Sequence, residues 1–340
     1  MAILFSSSHN LLNFFILIEG GKLVRKPLIF MFSGQGSQYY HMGKELYCKN
    51  AIFRKWMSKL NDVVYQKVGV SIIDEVYNEA KSKSDHFDRL LYTHPAIFMV
   101  EYSLARVLIE SGFEPDYVLG TSLGEFTSAA VAGVISVEEM LEIILKQAEL
   151  IERYCEIGSM IAIIDSFNLY HQSSAISLHS NLAAFNYSSH FIIAGESVKL
   201  LKIEEYLKTR NLVFQALPVR YGFHSSNIDP IENEYKMFLS KFLFEKPKIP
   251  VISCLLSGCV TNFSAQYFWD IIRQPICFQK TIIKLEEQGQ FNYIDLGPSG
   301  TLANFVRKNL SKDSFSQAYD VLNPFGQDVK KIEKIKESFY

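Results

Sequence analysis

The stretch PDYVLGTSLGEFTSAAVAGVIS, residues 115–136, decides how the rest of the chain is read. Apolar, β-favouring residues from Tyr117 to Gly120 predict a strand. Ser122 follows between Gly120 and Gly124. The small residues Ser128, Ala129, Ala130 and Ala132 then suit a helix packed tightly on a sheet. A strand that turns abruptly through Gly-x-Ser-x-Gly into a helix is the setting of a nucleophile elbow. The glycines allow the close approach and strained backbone that expose a serine hydroxyl. The helix N-terminus adds amide donors and a positive dipole end. The same letters also fit a glycine-rich turn with a spectator serine, and the motif alone leaves both readings open.

The bulk numbers narrow the classes. The 340 residues are 48% hydrophobic, enough for one large or two modest domains with a real core. Basic and acidic residues balance at 34 and 36 with no block of like charge, so nothing points to nucleic acid or an anionic membrane. Five scattered cysteines (Cys48, Cys155, Cys254, Cys259 and Cys277) complete no zinc site. They read as reduced cytoplasmic thiols acting as small buried hydrophobes. Residues 1–26 differ in texture. Their apolar run, Leu11 to Ile18, is too short to span a bilayer, and they lack the basic start and cleavage site of a signal peptide. They are expected to be an extra segment, flexible or membrane-contacting, or else the product of a start codon assigned too early, with synthesis beginning at Leu23 or Val24.

Along the chain, PLIFMFSG (27–34) predicts a buried strand ending in a turn. Leu46, Phe53, Met57, Leu60 and Val64 repeat at helical spacing, and residues 94–112 and 137–153 predict two further helices. Between 159 and 219 the texture changes: strands at 159–165, 181–187 and 190–196, a helix from Leu200 to Arg210, and a strand at 212–219. Mixed α/β texture then returns, with strands in 249–256 and 291–297. The expectation is an α/β fold: a body from 27–158 and 220–310, an inserted α+β unit at 159–219, and a loosely packed polar tail at 311–340.

Three other stretches bear on Ser122. FSGQGSQYYHMG (32–43) places Gly34, Gln35, Gly36, Ser37 and Gln38 at the carboxyl end of a strand, where α/β folds put ligands. No Gly-Lys-Ser/Thr follows to make it a phosphate loop. VRYGFHSSNIDP (219–230) puts His224 in a loop after a strand, and a serine nucleophile needs such a base. In FWDIIRQPICF (268–278), Pro275 forces Gln274 out of helix, leaving carbonyls from Ile271 to Gln274 without intrahelical partners. One of them could orient a histidine's second nitrogen. Each stretch also has a bland reading: a surface loop, a structural histidine, a helix stop.

Taken in order, Gly34-Gln35-Gly36-Ser37-Gln38, Gly120-x-Ser122-x-Gly124-Glu125, Phe223-His224-Ser225 and Gln274-Pro275 resemble the malonyl-CoA:acyl-carrier-protein transacylase family. That family includes the acyltransferase domains of fatty-acid and polyketide synthases. The resemblance runs from about Pro27 to Arg307. It implies a hydrolase-like α/β body with a ferredoxin-like small subdomain and a cleft between them. It implies a dyad in which Ser122 attacks a thioester and His224 carries the proton, with the Gln35 and Leu123 amides as the oxyanion hole. The family's histidine-orienting carbonyl falls at Ile271, four residues before the proline. The acyl groups ride on the phosphopantetheine arm of an acyl carrier protein or on CoA, so no metal or tightly held cofactor is implied. A monomer suffices.

The departures refine this. Malonyl-selective members carry an arginine where this chain has Gln147. Lys146 points about 100° away around the helix, and Arg153 is almost two turns on. A malonyl carboxylate left unpaired there costs on the order of 2–5 kcal/mol. Thr121 replaces the family's usual histidine. Tyr221-Gly222-Phe223-His224 is mixed, with Phe223 as in malonyl-type domains. The chain looks most like the acyltransferase homologues of trans-acyltransferase polyketide synthases, some of which are acyl hydrolases that clear stalled chains. A loading transacylase is the alternative, and a non-catalytic scaffold docking carrier proteins is the alternative of another class.

Overall fold

The computed structural model describes residues 15–19 and 22–339. Its strands in chain order are β1 (Phe15–Glu19), β2 (Lys22–Arg25), β3 (Leu28–Phe32), β4 (Tyr117–Gly120), β5 (Gly158–Ile163), β6 (Asn181–Tyr187), β7 (His190–Glu196), β8 (Phe214–Ala216), β9 (Val251–Ser253), β10 (Gly258–Cys259), β11 (Asn292–Asp295) and β12 (Gln317–Asp320). β1 and β2 form an antiparallel ribbon; the rest of the 1–26 segment lies mainly outside the described residues.

The body is a six-stranded sheet ordered β10-β9-β4-β3-β11-β12. All its pairings are parallel except the β9–β10 edge. Such a sheet needs both faces covered, and β3 is accordingly apolar and buried throughout. The helix Ala51–Val68 packs on neighbouring helices through Phe53, Met57, Leu60 and Val64, all fully buried. Asn50 breaks it from the helix Lys44–Lys49 and caps it by accepting from the Phe53 amide. The helix Val137–Tyr154 starts on a capping box, Ser136 with Glu139.

The helix expected from His94 begins earlier, at Leu90. The Glu152 carboxylate accepts from the Leu91 amide at 3.1 Å, supporting that extra turn. Pro95 therefore sits inside the helix rather than at its start.

The second sheet, β6-β7-β5-β8, is antiparallel. Its order, with the helix Ser197–Thr209 and two short helices, Asn168–Gln172 and Ser174–Ser177, is the ferredoxin-like arrangement. The short helices, absent from the sequence reading, close its core around Ile176.

The stretch expected to be a loose tail is packed instead. β12 extends the central sheet beside β11, and the helix Asp328–Phe339 buries Ile332 and Ile335. Its Asp328 amide donates to the Glu45 carboxylate at 2.9 Å. Nor are the cysteines uniformly buried: Cys254 is, while Cys48 and Cys259 are exposed.

Candidate active site

Parallel pairing of β3 with β4 sets Phe32 opposite Gly120. The two strands therefore end together, and the loops after them lie side by side at the carboxyl edge of the sheet. The packing there leaves no room for side chains on the elbow glycines. A Cβ on Gly124 would lie 2.1 Å from the Phe32 carbonyl oxygen, and one on Gly120 would lie 2.4 Å from the Glu125 amide nitrogen. The turn is bent so sharply that Ser122 adopts φ 53°, ψ −124°, a region costly for a residue with a side chain. Gly34 approaches from the neighbouring loop, its missing Cβ only 2.8 Å from the Ser122 Cβ.

His224 also has positive φ, 58°. Its amide donates to the Ile272 carbonyl at 2.9 Å. Its Nδ1 lies 2.8 Å from the Gln274 carbonyl oxygen and its Nε2 lies 2.9 Å from Ser122 Oγ. A carbonyl only accepts, so Nδ1 carries the proton and Nε2 accepts from the serine hydroxyl. The orienting carbonyl is thus that of Gln274, not Ile271. Gln274 follows the helix Ala265–Arg273 with φ −91°, ψ 157°. Pro275 enforces that extended geometry and swings the Gln274 carbonyl off the helix axis. Burial pushes the imidazole down to about 4, against the opposing pull of the Gln274 carbonyl.

The Gln35 and Leu123 amides flank Ser122, and among the described residues neither has a hydrogen-bond acceptor. The Gln35 side chain turns away, donating from Nε2 to Thr93 Oγ1 at 3.1 Å. Gln38 ties its loop to the Phe87 and Pro218 carbonyls.

Ser122 and His224 open onto a cavity of about 380 Å³. Met160, Ala162 and Ile192 of the small sheet form one side, and Ile276, Leu302 and Phe305 of the body form the other. Thr121 and Phe223 line it as well; among the described residues, no lysine, arginine, aspartate or glutamate does. Gln147 and Tyr221, expected at the acyl pocket, stand outside this wall. Gln147 is buried where its helix meets the helix Glu232–Leu239, and its Nε2 donates to the Tyr235 hydroxyl at 3.1 Å. Tyr221 is buried, and its carbonyl accepts the Phe223 amide at 3.0 Å in a tight turn. Lys146 faces outward, paired with Glu149 and Glu234.

Two of the buried carboxylates were given no role by the sequence reading. Glu101 accepts from the Ser33 amide and hydroxyl at 2.7 and 2.9 Å and from the Thr127 hydroxyl at 2.9 Å, joining the end of β3 to the elbow helix Leu123–Val131. Glu125, inside the quoted motif, accepts from the Tyr267 hydroxyl and the Leu255 amide. The signal for Glu101 was present: an acid in the otherwise apolar run AIFMVEYSLA (96–105).

The acyl transferase domain family matches residues 29–337. The chain belongs to that family. This acyltransferase-family chain is 46% identical over 313 residues to the polyketide biosynthesis acyltransferase homolog PksD of Bacillus subtilis (strain 168), covering 92% of this chain and 97% of that protein. It is 44% identical over 315 residues to the polyketide biosynthesis acyltransferase homolog BaeD of Bacillus velezensis, covering 93% and 97%. Its fold matches the acyltransferase domain from the second module of the salinomycin polyketide synthase with a TM-score of 0.80 at 25% identity, over 92% of this chain and 72% of that one.

Proposed function

We propose that this acyltransferase-fold chain is a trans-acting serine enzyme of polyketide biosynthesis that hydrolyses neutral acyl groups from acyl carrier proteins. The observation that carries the chemistry is the Ser122 Oγ–His224 Nε2 contact of 2.9 Å, with Nδ1 held by the Gln274 carbonyl. Ser122 Oγ attacks the thioester carbonyl as its proton passes to Nε2. The tetrahedral oxyanion sits on the Gln35 and Leu123 amides. The C–S bond breaks and the imidazolium protonates the departing phosphopantetheine thiol. Water, deprotonated by His224, then attacks the acyl-serine, and the acid leaves as Ser122 regains its proton. Each step uses protein groups and the arm on the substrate, without a metal or bound cofactor. The polyketide setting follows the relatives PksD and BaeD, and the compartment we assign is the cytoplasm.

Two features support neutral acyl groups. Among the described residues no lysine or arginine lines the cavity to pair a malonyl carboxylate, and the chain carries Gln147, its amide engaged by Tyr235, where malonyl-selective members carry arginine. A loading transacylase remains the second reading because Phe223, as in malonyl-type domains, stands on the wall. A mass-spectrometric time course separates them, with acetyl-, butyryl- and malonyl-loaded carrier protein, free carrier protein and a Ser122→Ala control. Loss of acetyl and butyryl groups to water, absent in the control, is expected. Movement of malonyl onto the free carrier establishes the transacylase instead, and no turnover by the wild type leaves a carrier-docking scaffold.

A further inference from the structure

His224 is held at the C-terminal end of the helix Ala265–Arg273, its backbone amide by the Ile272 carbonyl and its ring by the Gln274 carbonyl. Ser122 is held at the start of a different helix, Leu123–Val131. Their separation therefore depends on how the two helices are fixed to each other. Glu125 lies one helical turn after Ser122, and Tyr267 lies in the first turn of the His224-bearing helix. The Tyr267 hydroxyl donates to Glu125 Oε2 at 2.5 Å, and the other carboxylate oxygen accepts from the Leu255 amide just beyond β9 at 3.1 Å. Both side chains are buried.

We infer that Glu125 and Tyr267 form a strut that sets the Ser122–His224 distance, making both positioning residues for the dyad. A buried acid is costly unless its oxygens are partnered, and an apolar side chain would fill this space as well. What the acid adds is direction. The Phe126–Phe268 ring contact at 5.2 Å holds the helices together, but apolar packing permits sliding that a short hydrogen bond does not. The helix is nine residues long, so a small slip at Tyr267 is carried along its length to Gln274, and the carbonyl leaves Nδ1.

The inference rests on the dyad reading above, and the test separates the two. Wild-type protein, Tyr267→Phe, Glu125→Gln and a packing control, Phe268→Leu, are compared for Ser122 labelling by a fluorophosphonate. The same samples, labelled with nitrogen-15 histidine, give the His224 Nδ1–H resonance by NMR. Tyr267→Phe is expected to slow labelling about ten- to a hundredfold, the scale of an ångström misplacement, and to broaden or abolish that resonance. Glu125→Gln is expected to do the same, and the double variant to be no worse than either single. Phe268→Leu is expected to lower Tm while keeping rate and resonance. Tyr267→Phe with an unchanged rate and resonance overturns the strut. If the wild type does not label Ser122, the dyad reading fails, and the resonance alone still decides the strut.

Discussion

On the proposed mechanism, the low pKa of His224 sets the acid limit of Ser122 reactivity. Burial brings the imidazole from its ordinary 6.5 to about 4, a preference of about 3 kcal/mol for the neutral form. A base must be neutral to accept the serine proton. An imidazole titrating at 6.5 would leave about one tenth of the plateau reactivity at pH 5.5, whereas one titrating near 4 leaves nearly all of it, roughly 97%. The assay is pseudo-first-order labelling of Ser122 by a fluorophosphonate from pH 4.5 to 8, read by intact mass, with circular dichroism confirming the fold at each pH. The fold must be followed because the same shift acts on stability. Between 4 and 6.5 the unfolded chain holds more protons on this residue than the folded one. Its contribution is therefore complete above pH 6.5 and is lost as pH falls toward 4, by up to about 1.4 kcal/mol per pH unit. A labelling midpoint between pH 6 and 7 in folded protein would refute the reasoning. It would mean that solvent, or a charge beside the ring, outweighs burial.

Three further outcomes are expected. His94 is buried with neither ring nitrogen hydrogen-bonded among the described residues, and burial holds it down to about 3; His94→Gln should flatten the acid loss of stability by up to about 1.4 kcal/mol per pH unit below 6.5, measured by urea unfolding at stepped pH. Gly124→Ala would drive a Cβ into the Phe32 carbonyl, with 2.1 Å between them; we expect a loss of about 3 kcal/mol or more and no Ser122 labelling, and a soluble, reactive variant would show that the elbow is looser than described. Gln147→Arg puts a cation outside the cavity wall, in the helix contact where the Gln147 amide donates to Tyr235; we expect a loss of about 3–5 kcal/mol for the buried unpaired charge and an unchanged malonyl-to-acetyl ratio in a competition assay, whereas a rise of about tenfold would show that position 147 reaches the acyl pocket.

The parts of the fold that sequence reveals are those where a backbone demand has a residue signature. Ser122 was legible because its turn needs glycine on both sides, and β4 because an apolar run stops at that turn. The His224 contact with Gln274 was legible only to within a turn of helix. Counting residues back from Pro275 places a carbonyl along the chain, but its aim depends on ψ at Gln274, which Pro275 turns to 157°. Gln147 shows the same limit: the resemblance put it at the acyl pocket, and nothing in the sequence announced the partner Tyr235 that claims its amide outside the cavity wall. The stretch 311–340 misled because its side chains are polar while its order comes from the backbone. β12 is fixed by ladder bonds to β11 although none of its residues is fully buried. The following helix is held by Ile332 and Ile335 on one face.

These features share a cause. Ser122 and His224 both sit at positive φ, and such strain persists only where the surroundings over-determine it. Glu101 fixes the end of β3 to the elbow helix, and Glu125 fixes the elbow helix to the one that holds His224. These two buried acids thus serve geometry, and the histidine is left with a neutral carbonyl where a catalytic triad has a carboxylate. A carboxylate at Nδ1 would hold the imidazolium and raise the pKa. A carbonyl raises it far less, so burial prevails and the base stays neutral well into acid. The tolerance of Ser122 reactivity to acid and its sensitivity to the Glu125–Tyr267 contact are therefore two consequences of one arrangement. If the first is observed without the second, the helix Ala265–Arg273 is held by its apolar face alone.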